Sequence, residues 1–206
     1  MGTGLIAVFV LWTVLVSVVD FRAIGPNGSS VGFATLNGYV HDLTGVNMRL
    51  YSITDWLGLV PIGVALGFAM LGLVQWIKRK SLFKVDRGIL ALGGFYVAVM
   101  AVYILFEFVV INYRPVLIDG YLEASYPSST TMLVMCVMPT AMMQLHARIK
   151  SDVFRRCVLI SIAAFTAFMV IGRLASGVHW LTDIIGGALV SAGLVITYAS
   201  VSDIHK

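Results

Sequence analysis

Six apolar stretches separated by polar links are the feature that most restricts what this chain can fold into. They run over residues 4–19, 56–77, 88–111, 130–145, 157–171 and 184–201. A helix that crosses a bilayer needs roughly 20 predominantly apolar residues. Only 12% of the 206 residues are charged, against about 25% in a soluble domain. This pattern excludes an ordinary soluble enzyme, a disordered chain and a disulfide scaffold, and it predicts an integral membrane protein.

The predicted fold is all-α, a single membrane-embedded domain over residues 1–206 built as a bundle of six transmembrane helices. The link between the first two stretches carries turn signals at Pro26-Asn27-Gly28 and at Asn37-Gly38. From Gly38 to Trp56 apolar and polar residues mix at loosely helical spacing, which predicts an amphipathic helix in the outer interface of the membrane.

The distribution of lysine and arginine predicts the orientation. Ten of the 14 basic residues lie in two links and at the end of the chain, namely Lys78, Arg79, Lys80, Lys84, Arg87, Arg148, Lys150, Arg155, Arg156 and Lys206. The positive-inside rule places these residues in the cytoplasm. Both termini are then cytoplasmic, which requires an even number of spans. The pattern fits a bacterial plasma membrane, with an organelle membrane as the alternative.

Three polar clusters stand at the predicted outer ends of the stretches. They are Asn112-Tyr113-Arg114-Pro115, the segment from Tyr126 to Thr131, and the segment from Gly172 to Asp183. The six-span topology brings all three to the same face of the membrane, although they lie far apart in sequence. Ionisable residues at membrane depth are functional candidates by default. We therefore expect one site where the three clusters meet.

The residue types in these clusters predict a phosphate pocket with a histidine nucleophile. His179 and Asp183 are four residues apart, so they share a face if the segment is helical. A carboxylate there can bind one imidazole nitrogen and leave the other as nucleophile or base. Arg114 and Arg173 offer planar forks of donors that suit an oxyanion. Ser128 adds a hydroxyl at a helix start, where free backbone amides bind anions.

Each of these residues also has a purely structural interpretation. A histidine near a membrane surface is often structural, and Ser128 before a helix is often just an N-cap. The combination on one face favours a site over these separate explanations. No His, Asp and Glu cluster with metal-ligand spacing is evident, so neither a metal nor a cofactor is implied. The net charge of +4 does not imply a nucleic-acid partner.

At these residues the sequence resembles the type 2 phosphatidic acid phosphatase superfamily of membrane phosphoesterases. The pattern of that family is K-x6-R-P, then P-S-G-H, then S-R-x5-H-x3-D. The third motif here reads Gly172-Arg173, five residues, His179, three residues and Asp183. The second motif reads Pro127-Ser128-Ser129-Thr130, and the first keeps only Arg114-Pro115. The first two motifs are therefore degenerate.

The resemblance implies a mechanism. His179 would attack phosphorus and form a phosphohistidine, and Asp183 would orient its ring. Arg114, Arg173 and the Ser128 hydroxyl with nearby amides would hold the phosphoryl oxygens until water releases phosphate. The expected substrate-binding residues are Tyr113, Ser129, Thr130 and Glu107.

Two departures from the family pattern affect the chemistry. Glu107 stands in place of the lysine, and its carboxylate would repel a phosphate unless it pairs with an arginine or is protonated. Thr130 stands in place of the histidine that protonates the leaving group, a step typically worth 10²–10⁴-fold. Loss of that acid slows the reaction most when the leaving group is an alkoxide, which predicts a preference for lipid diphosphates. His41, Asp119 or Glu123 could supply the proton instead.

Three functions follow as hypotheses. The first is a lipid phosphatase or phosphotransferase with an outward-facing site, acting on a prenyl diphosphate or a phosphatidylglycerol-phosphate-type lipid. The second is a catalytically impaired relative that binds a phosphorylated head group or a membrane partner, which the changes at Glu107 and Thr130 favour. The third is a small transporter or channel that uses Glu107, Arg173 and Asp183 as a relay. No pair of broken half-helices supports the third.

Overall fold

The computed structural model describes residues 1–202, which are mainly helical. A short hairpin of β1 (Arg22–Ala23) and β2 (Ser30–Val31) follows the first helix. Lys206, which the sequence groups with the cytoplasmic basic residues, lies outside the described residues. The α-helices are α1 (Gly2–Val18), α2 (Ala34–Thr44), α3 (Met48–Leu57), α4 (Leu59–Arg79), α5 (Arg87–Phe108), α6 (Ser129–Arg148), α7 (Asp152–Ala175) and α8 (Leu181–Val201).

The six apolar stretches coincide with α1, α4, α5, α6, α7 and α8. Four segments are long and apolar enough to cross a membrane: Met48–Arg79, Arg87–Phe108, Asp152–Ala175 and Leu181–Val201. Helix α1 is apolar but has 17 residues, and α6 buries polar side chains that lower its hydropathy. The predicted all-α membrane fold is confirmed, whereas a crossing by all six helices stays a prediction.

Helix α6 lies in the middle of the bundle, packed against α4, α5, α7 and α8, while α1 packs mainly on α8. Its polar residues face the protein and find partners there. Thr140 Oγ1 donates to the carbonyl oxygen of Cys136 at 2.8 Å. Gln144 Nε2 donates to the carbonyl oxygen of Gly88 at 3.2 Å. Buried polar groups are tolerated when they are hydrogen-bonded in this way, so α6 needs less hydrophobicity than its neighbours.

The link between α1 and α4 differs from the prediction in two respects. The turn at residues 26–28 is present, and Asn27 has a φ of 55°. Asn37-Gly38, however, lies inside α2, because the buried Asn37 side chain donates to the carbonyl oxygen of Gly32 at 2.8 Å and to Thr182 Oγ1 at 2.9 Å. The predicted amphipathic segment is helical, but it is divided into two helices, because α2 and α3 are separated at Gly45, which has a φ of 60°.

The basic links gather at the end of the bundle opposite to the three polar clusters. Asp86, just before α5, lies 3.0 Å from Arg79 of α4 and 3.6 Å from Arg148 of α6. It also accepts a hydrogen bond from Gln75 Nε2 at 2.8 Å, and this bond is the main reason why the pKa of the carboxyl is below its ordinary value. The charge asymmetry of the sequence therefore corresponds to two distinct ends of the structure.

Gly177 lets the loop between α7 and α8 pack directly on the α2–α3 link. Its φ is +66°, and a Cβ atom at this position would overlap the carbonyl oxygen of Gly45. The adjacent hydrogen bond from Asn47 N to the carbonyl oxygen of Ser176, at 2.9 Å, holds the two segments together. The loop that carries His179 is therefore fixed against the outer link.

We expect Gly177→Ala to lower the free energy of unfolding by about 2–4 kcal/mol, because a steric clash adds to the strain of a positive φ. Gly28→Ala is the matched control, since Gly28 has a φ of +73° with nothing within 4 Å of a Cβ atom. That change should cost only about 1 kcal/mol. Thermal unfolding in detergent measures both, and equal losses would show that the packing against Gly45 is unimportant.

Candidate active site

Residues of all three polar clusters meet around the side chain of Asp183, in the first turn of α8. Its Oδ2 accepts a hydrogen bond from the backbone N–H of Trp180 at 3.0 Å, and its Oδ1 accepts one from Asn112 Nδ2 at 3.1 Å. The backbone N–H of Ser128 donates to the carbonyl oxygen of Asp183 at 3.1 Å. Asp183 and Asn112 are fully buried. The structure thus brings together segments that are far apart in sequence.

His179 lies in the loop before α8 rather than on the helix itself. Its Nδ1 is 3.6 Å from Asp183 Oδ2, which is an ion-pair distance somewhat longer than a hydrogen bond. Its Nε2 is 3.4 Å from Arg114 Nη1. A guanidinium can only donate, so this contact requires a lone pair on Nε2 and the proton on Nδ1, facing Asp183. The unprotonated nitrogen of the ring, Nε2, therefore lies on the side of Arg114.

Burial lowers the pKa of His179 from 6.5 to about 4. Removal from water is the largest cause, because it disfavours the charged ring. The hydrogen-bonding influence of Asp183 opposes the shift, and the positive charge of Arg114 adds to it. At neutral pH the imidazole is therefore uncharged, which is the form that can act as a nucleophile.

Arg173, in the last turn of α7, is almost fully buried, with 1% of its surface exposed. Its Nη2 donates to Thr130 Oγ1 at 2.7 Å and to Asp55 Oδ1 at 3.2 Å. Its Nη1 is 3.4 Å from Thr54 Oγ1. Helices α3, α6 and α7 are thereby joined through one guanidinium.

Arg114, in the loop between α5 and α6, is the second buried guanidinium. Its Nε lies 3.0 Å from Glu123 Oε2, and its backbone N–H donates to the carbonyl oxygen of Glu123 at 3.0 Å. Tyr113 and Ala124 form an isolated β-bridge next to this pair. The loop therefore folds back on itself and holds Arg114 with Nη1 directed at His179.

The ring of Tyr51 lies against both arginines, and the sequence alone did not identify it. Cζ of Arg173 is 4.9 Å from the ring centroid, and Cζ of Arg114 is 5.8 Å from it. Tyr51 and Asp55 belong to α3, in the predicted interfacial segment. The two positive charges lie close to each other here. The aromatic ring compensates in part, because its face attracts cations. The feature of the sequence that could have indicated a role of α3 in the site was the polar pair Thr54-Asp55 just before an apolar stretch.

The second polar cluster forms the start of α6. Ser128 is buried and caps the helix, with its Oγ accepting from the backbone N–H of Thr131 at 3.4 Å. Ser129 and Thr130 are half-buried at the first turn. Tyr113 contributes its carbonyl oxygen, which accepts from Trp180 Nε1 at 2.7 Å. Within residues 1–202, the side chain of Tyr113 forms no hydrogen bond with the other site residues, so its observed role is the backbone contact with Trp180.

Glu107 stands near the end of α5, at a small cavity that is also lined by His179, Ser129 and Tyr103. Within the part of the chain that the structure describes, Glu107 forms no ion pair with an arginine. An apolar groove of about 480 Å³ between α4, α5 and α6 adjoins this cavity. Tyr103, Ser129 and Met132 line both. The cavity and the groove therefore share a wall.

The other proposed proton donors occupy different places. The ring of His41 packs on Trp180 with a centroid distance of 5.5 Å. Asp119 is exposed in a tight turn with a φ of 49°. Of the three, Glu123 alone contacts a site arginine among the described residues. Residues 1–202 contain no group of three or more His, Cys, Asp and Glu side chains placed to hold a metal ion.

Comparisons with known proteins identify the family and agree with the fold. A family model described as the PAP2 superfamily matches residues 92–205, more than half of the chain. The chain is also similar to a crystal structure of the first transmembrane PAP2 type phosphatidylglycerolphosphate phosphatase from Bacillus subtilis, with 19% identity and a TM-score of 0.59. That alignment covers 100% of this chain and 97% of the other. No curated protein matches the sequence. At this identity the structural likeness shows the fold alone.

The depressed pKa of His179 predicts a pH-dependent stability. The unfolded chain binds a proton on this residue near pH 6.5, whereas the folded chain does so only near pH 4. Stability should therefore fall as the pH drops from 6.5 to 4, by at most about 3 kcal/mol. Thermal unfolding in detergent at several pH values should show a flatter dependence for His179→Gln. His146→Gln, at an exposed site, is the control, and an unchanged slope for His179→Gln would contradict the assignment.

Proposed function

Since the chain belongs to the PAP2 superfamily, we propose that it is a membrane lipid phosphatase that works through a phosphohistidine at His179. The observation that carries this proposal is the arrangement of the imidazole, with Arg114 Nη1 3.4 Å from Nε2 and Asp183 on the other side of the ring. In the first step the Nε2 lone pair attacks phosphorus and displaces the leaving group. Asp183 stabilises the positive charge that the ring then carries.

Arg114, Arg173 and Ser128 are proposed to hold the phosphoryl oxygens. Both guanidinium groups lie against the ring of Tyr51, so we expect their remaining N–H groups to bind the same phosphate. Backbone amides at the start of α6 add donors, as helix N-termini do for many anions. Ser129, Thr130 and Tyr113 are the proposed neighbours of the head group. In the second step water attacks the phosphohistidine and releases phosphate.

The groove between α4, α5 and α6 suits a lipid tail. Its walls are apolar over most of their length, and its polar end reaches Asp55, Ser129 and Thr130. A tail in this groove directs a phosphate at its end toward the cavity lined by His179. We propose that this end faces the outer side of a bacterial plasma membrane, with both termini in the cytoplasm, because the basic residues lie at the opposite end.

A preference for diphosphates is the finer part of the proposal. Thr130 Oγ1 accepts a hydrogen bond from Arg173 at 2.7 Å, and a threonine hydroxyl is a very weak acid. Departure of an alkoxide from a lipid monophosphate needs a proton far more than departure of a phosphate from a lipid diphosphate does. The site should therefore turn over an isoprenyl diphosphate faster than the corresponding monophosphate.

One observation favours a catalytically impaired relative as the second candidate. Both arginines already contact carboxylates, Arg114 with Glu123 and Arg173 with Asp55. A phosphate must compete with these ion pairs, which weakens the attraction that two free guanidinium groups would exert. Such a protein would bind a phosphorylated head group or a membrane partner without hydrolysing it.

Phosphate release from isoprenyl mono- and diphosphates with the same tail distinguishes the two candidates. We expect faster release from the diphosphate, because a phosphate leaves as a stable anion whereas an alkoxide must be protonated as it leaves. His179→Ala should abolish release from both lipids, and His146→Ala, at the other end of α6, should leave it unchanged. Head-group binding without any release would support the impaired relative. Equal rates on the two lipids would contradict the leaving-group argument.

A further inference from the structure

We propose that Glu107 is the acid that protonates the leaving oxygen when a lipid monophosphate reacts, an inference that rests on the lipid phosphatase function proposed above. This role explains why a carboxyl group stands where a phosphate pocket would otherwise be expected to carry a positive charge. It also predicts that the activity on lipid diphosphates survives without Glu107.

Four carboxyl groups surround the site, and three of them are engaged. Asp183 accepts from Asn112 and Trp180 and faces His179. The oxygens of Glu123 and Asp55 face guanidinium donors at 3.0 and 3.2 Å. A proton on either oxygen would have to displace such a donor. Within residues 1–202, no salt bridge occupies Glu107. It is therefore the carboxyl group that can take up and release a proton without breaking an ion pair.

The position of Glu107 matches that of a leaving oxygen. Val99, Tyr103 and Glu107 are spaced by four residues, so they form one stripe along α5. Val99 and Tyr103 line the lipid groove, and Tyr103 and Glu107 line the cavity that reaches His179. Glu107 thus stands where the groove meets the cavity.

The ester oxygen of a lipid phosphate joins the tail to the phosphorus, so it lies at this same junction when the tail occupies the groove. Phosphoryl transfer places the attacking and leaving atoms roughly in line. With His179 attacking from the α8 side, the leaving oxygen points toward α5. A carboxyl on α5 can therefore reach it.

The chemistry balances with these groups alone. The Nε2 lone pair of His179 forms a bond to phosphorus, the bond between phosphorus and the ester oxygen breaks, and its electron pair goes to that oxygen. The carboxyl of Glu107 gives its proton to the oxygen, so a lipid alcohol leaves and a carboxylate remains. The oxygen of a water molecule then forms a bond to phosphorus, the bond between phosphorus and Nε2 breaks with its electron pair returning to Nε2, and the carboxylate takes a proton from the water. Phosphate, neutral His179 and the protonated Glu107 result.

Glu107→Gln tests the proposal, because it keeps the shape and hydrogen bonding of the side chain and removes the transferable proton. We expect the kcat for an isoprenyl monophosphate to fall by about 10²-fold or more. The kcat for the diphosphate should change little, since its leaving group is stable as an anion. An aryl monophosphate with an activated phenol leaving group should also be insensitive. Asp119→Asn removes an exposed carboxylate from the α5–α6 loop and should alter none of the three rates.

The aryl substrate separates acid catalysis from simple charge repulsion. If Glu107 merely repelled phosphate, Glu107→Gln would lower KM and raise the rate for every substrate. If it served only the fold, all three rates would fall together. Either result would overturn the proposal. So would a selective loss on the monophosphate in Tyr103→Phe and not in Glu107→Gln, because it would move the proton to the neighbouring phenol.

Failure of this inference and failure of the proposed function give different results. If the wild-type protein releases no phosphate, or releases it equally well as His179→Ala, the phosphatase function is wrong and this inference falls with it. If release depends on His179 but the two lipids respond equally to Glu107→Gln, only the role of Glu107 is wrong. The intact diphosphate activity of Glu107→Gln also shows that the variant is folded.

Discussion

The buried carboxylate of Asp183 is the group around which the functional end of this molecule is organised. A charge that is removed from water needs compensating partners, or it destabilises the fold by several kcal/mol. Asp183 finds them in the backbone N–H of Trp180, the amide of Asn112 and the ring of His179. These partners come from the α7–α8 loop and the α5–α6 loop. The requirement to satisfy one carboxylate therefore fixes two loops against each other and sets the orientation of the imidazole.

The two arginines impose a second requirement, which draws the outer link into the site. Arg114 and Arg173 are 8% and 1% exposed, and their positive charges repel each other. Glu123 and Asp55 offset these charges, and both guanidinium groups lie against the ring of Tyr51. Tyr51 and Asp55 both belong to α3, so this short helix completes the pocket rather than simply lying on the membrane surface. The same ion pairs reduce the net positive charge that an incoming phosphate meets.

The sequence was sufficient for the parts of the structure that depend on local pattern. Apolar runs located the long helices, and the spacing of Arg173, His179 and Asp183 located the third motif, because both signals lie within a single segment. The helical conformation of Asn37-Gly38 was not predictable in this way, since it depends on hydrogen bonds from Asn37 to residues as distant as Thr182.

Contacts between distant segments also explain what the sequence missed in the site itself. Tyr51 and Asp55 belong to no motif, and their role appears only when α3 is placed against α7. Glu123 was a candidate proton donor in the sequence, and the structure instead places it on Arg114. Pairing between side chains on different helices is decided by packing, which a single sequence does not display.

The arrangement as a whole divides the proposed reaction between two sides of one pocket. Helices α7 and α8 with their loop present the proposed nucleophile, and buried hydrogen bonds around Asp183 hold that loop in place. Helices α4 and α5 form the apolar groove, and the end of α5 presents Glu107 where that groove reaches the cavity. A lipid phosphate spans the two sides because its tail is apolar and its head is charged. The bond that breaks then lies at the boundary between them. For this reason the residue at that boundary, rather than the buried histidine, is the one that distinguishes between leaving groups.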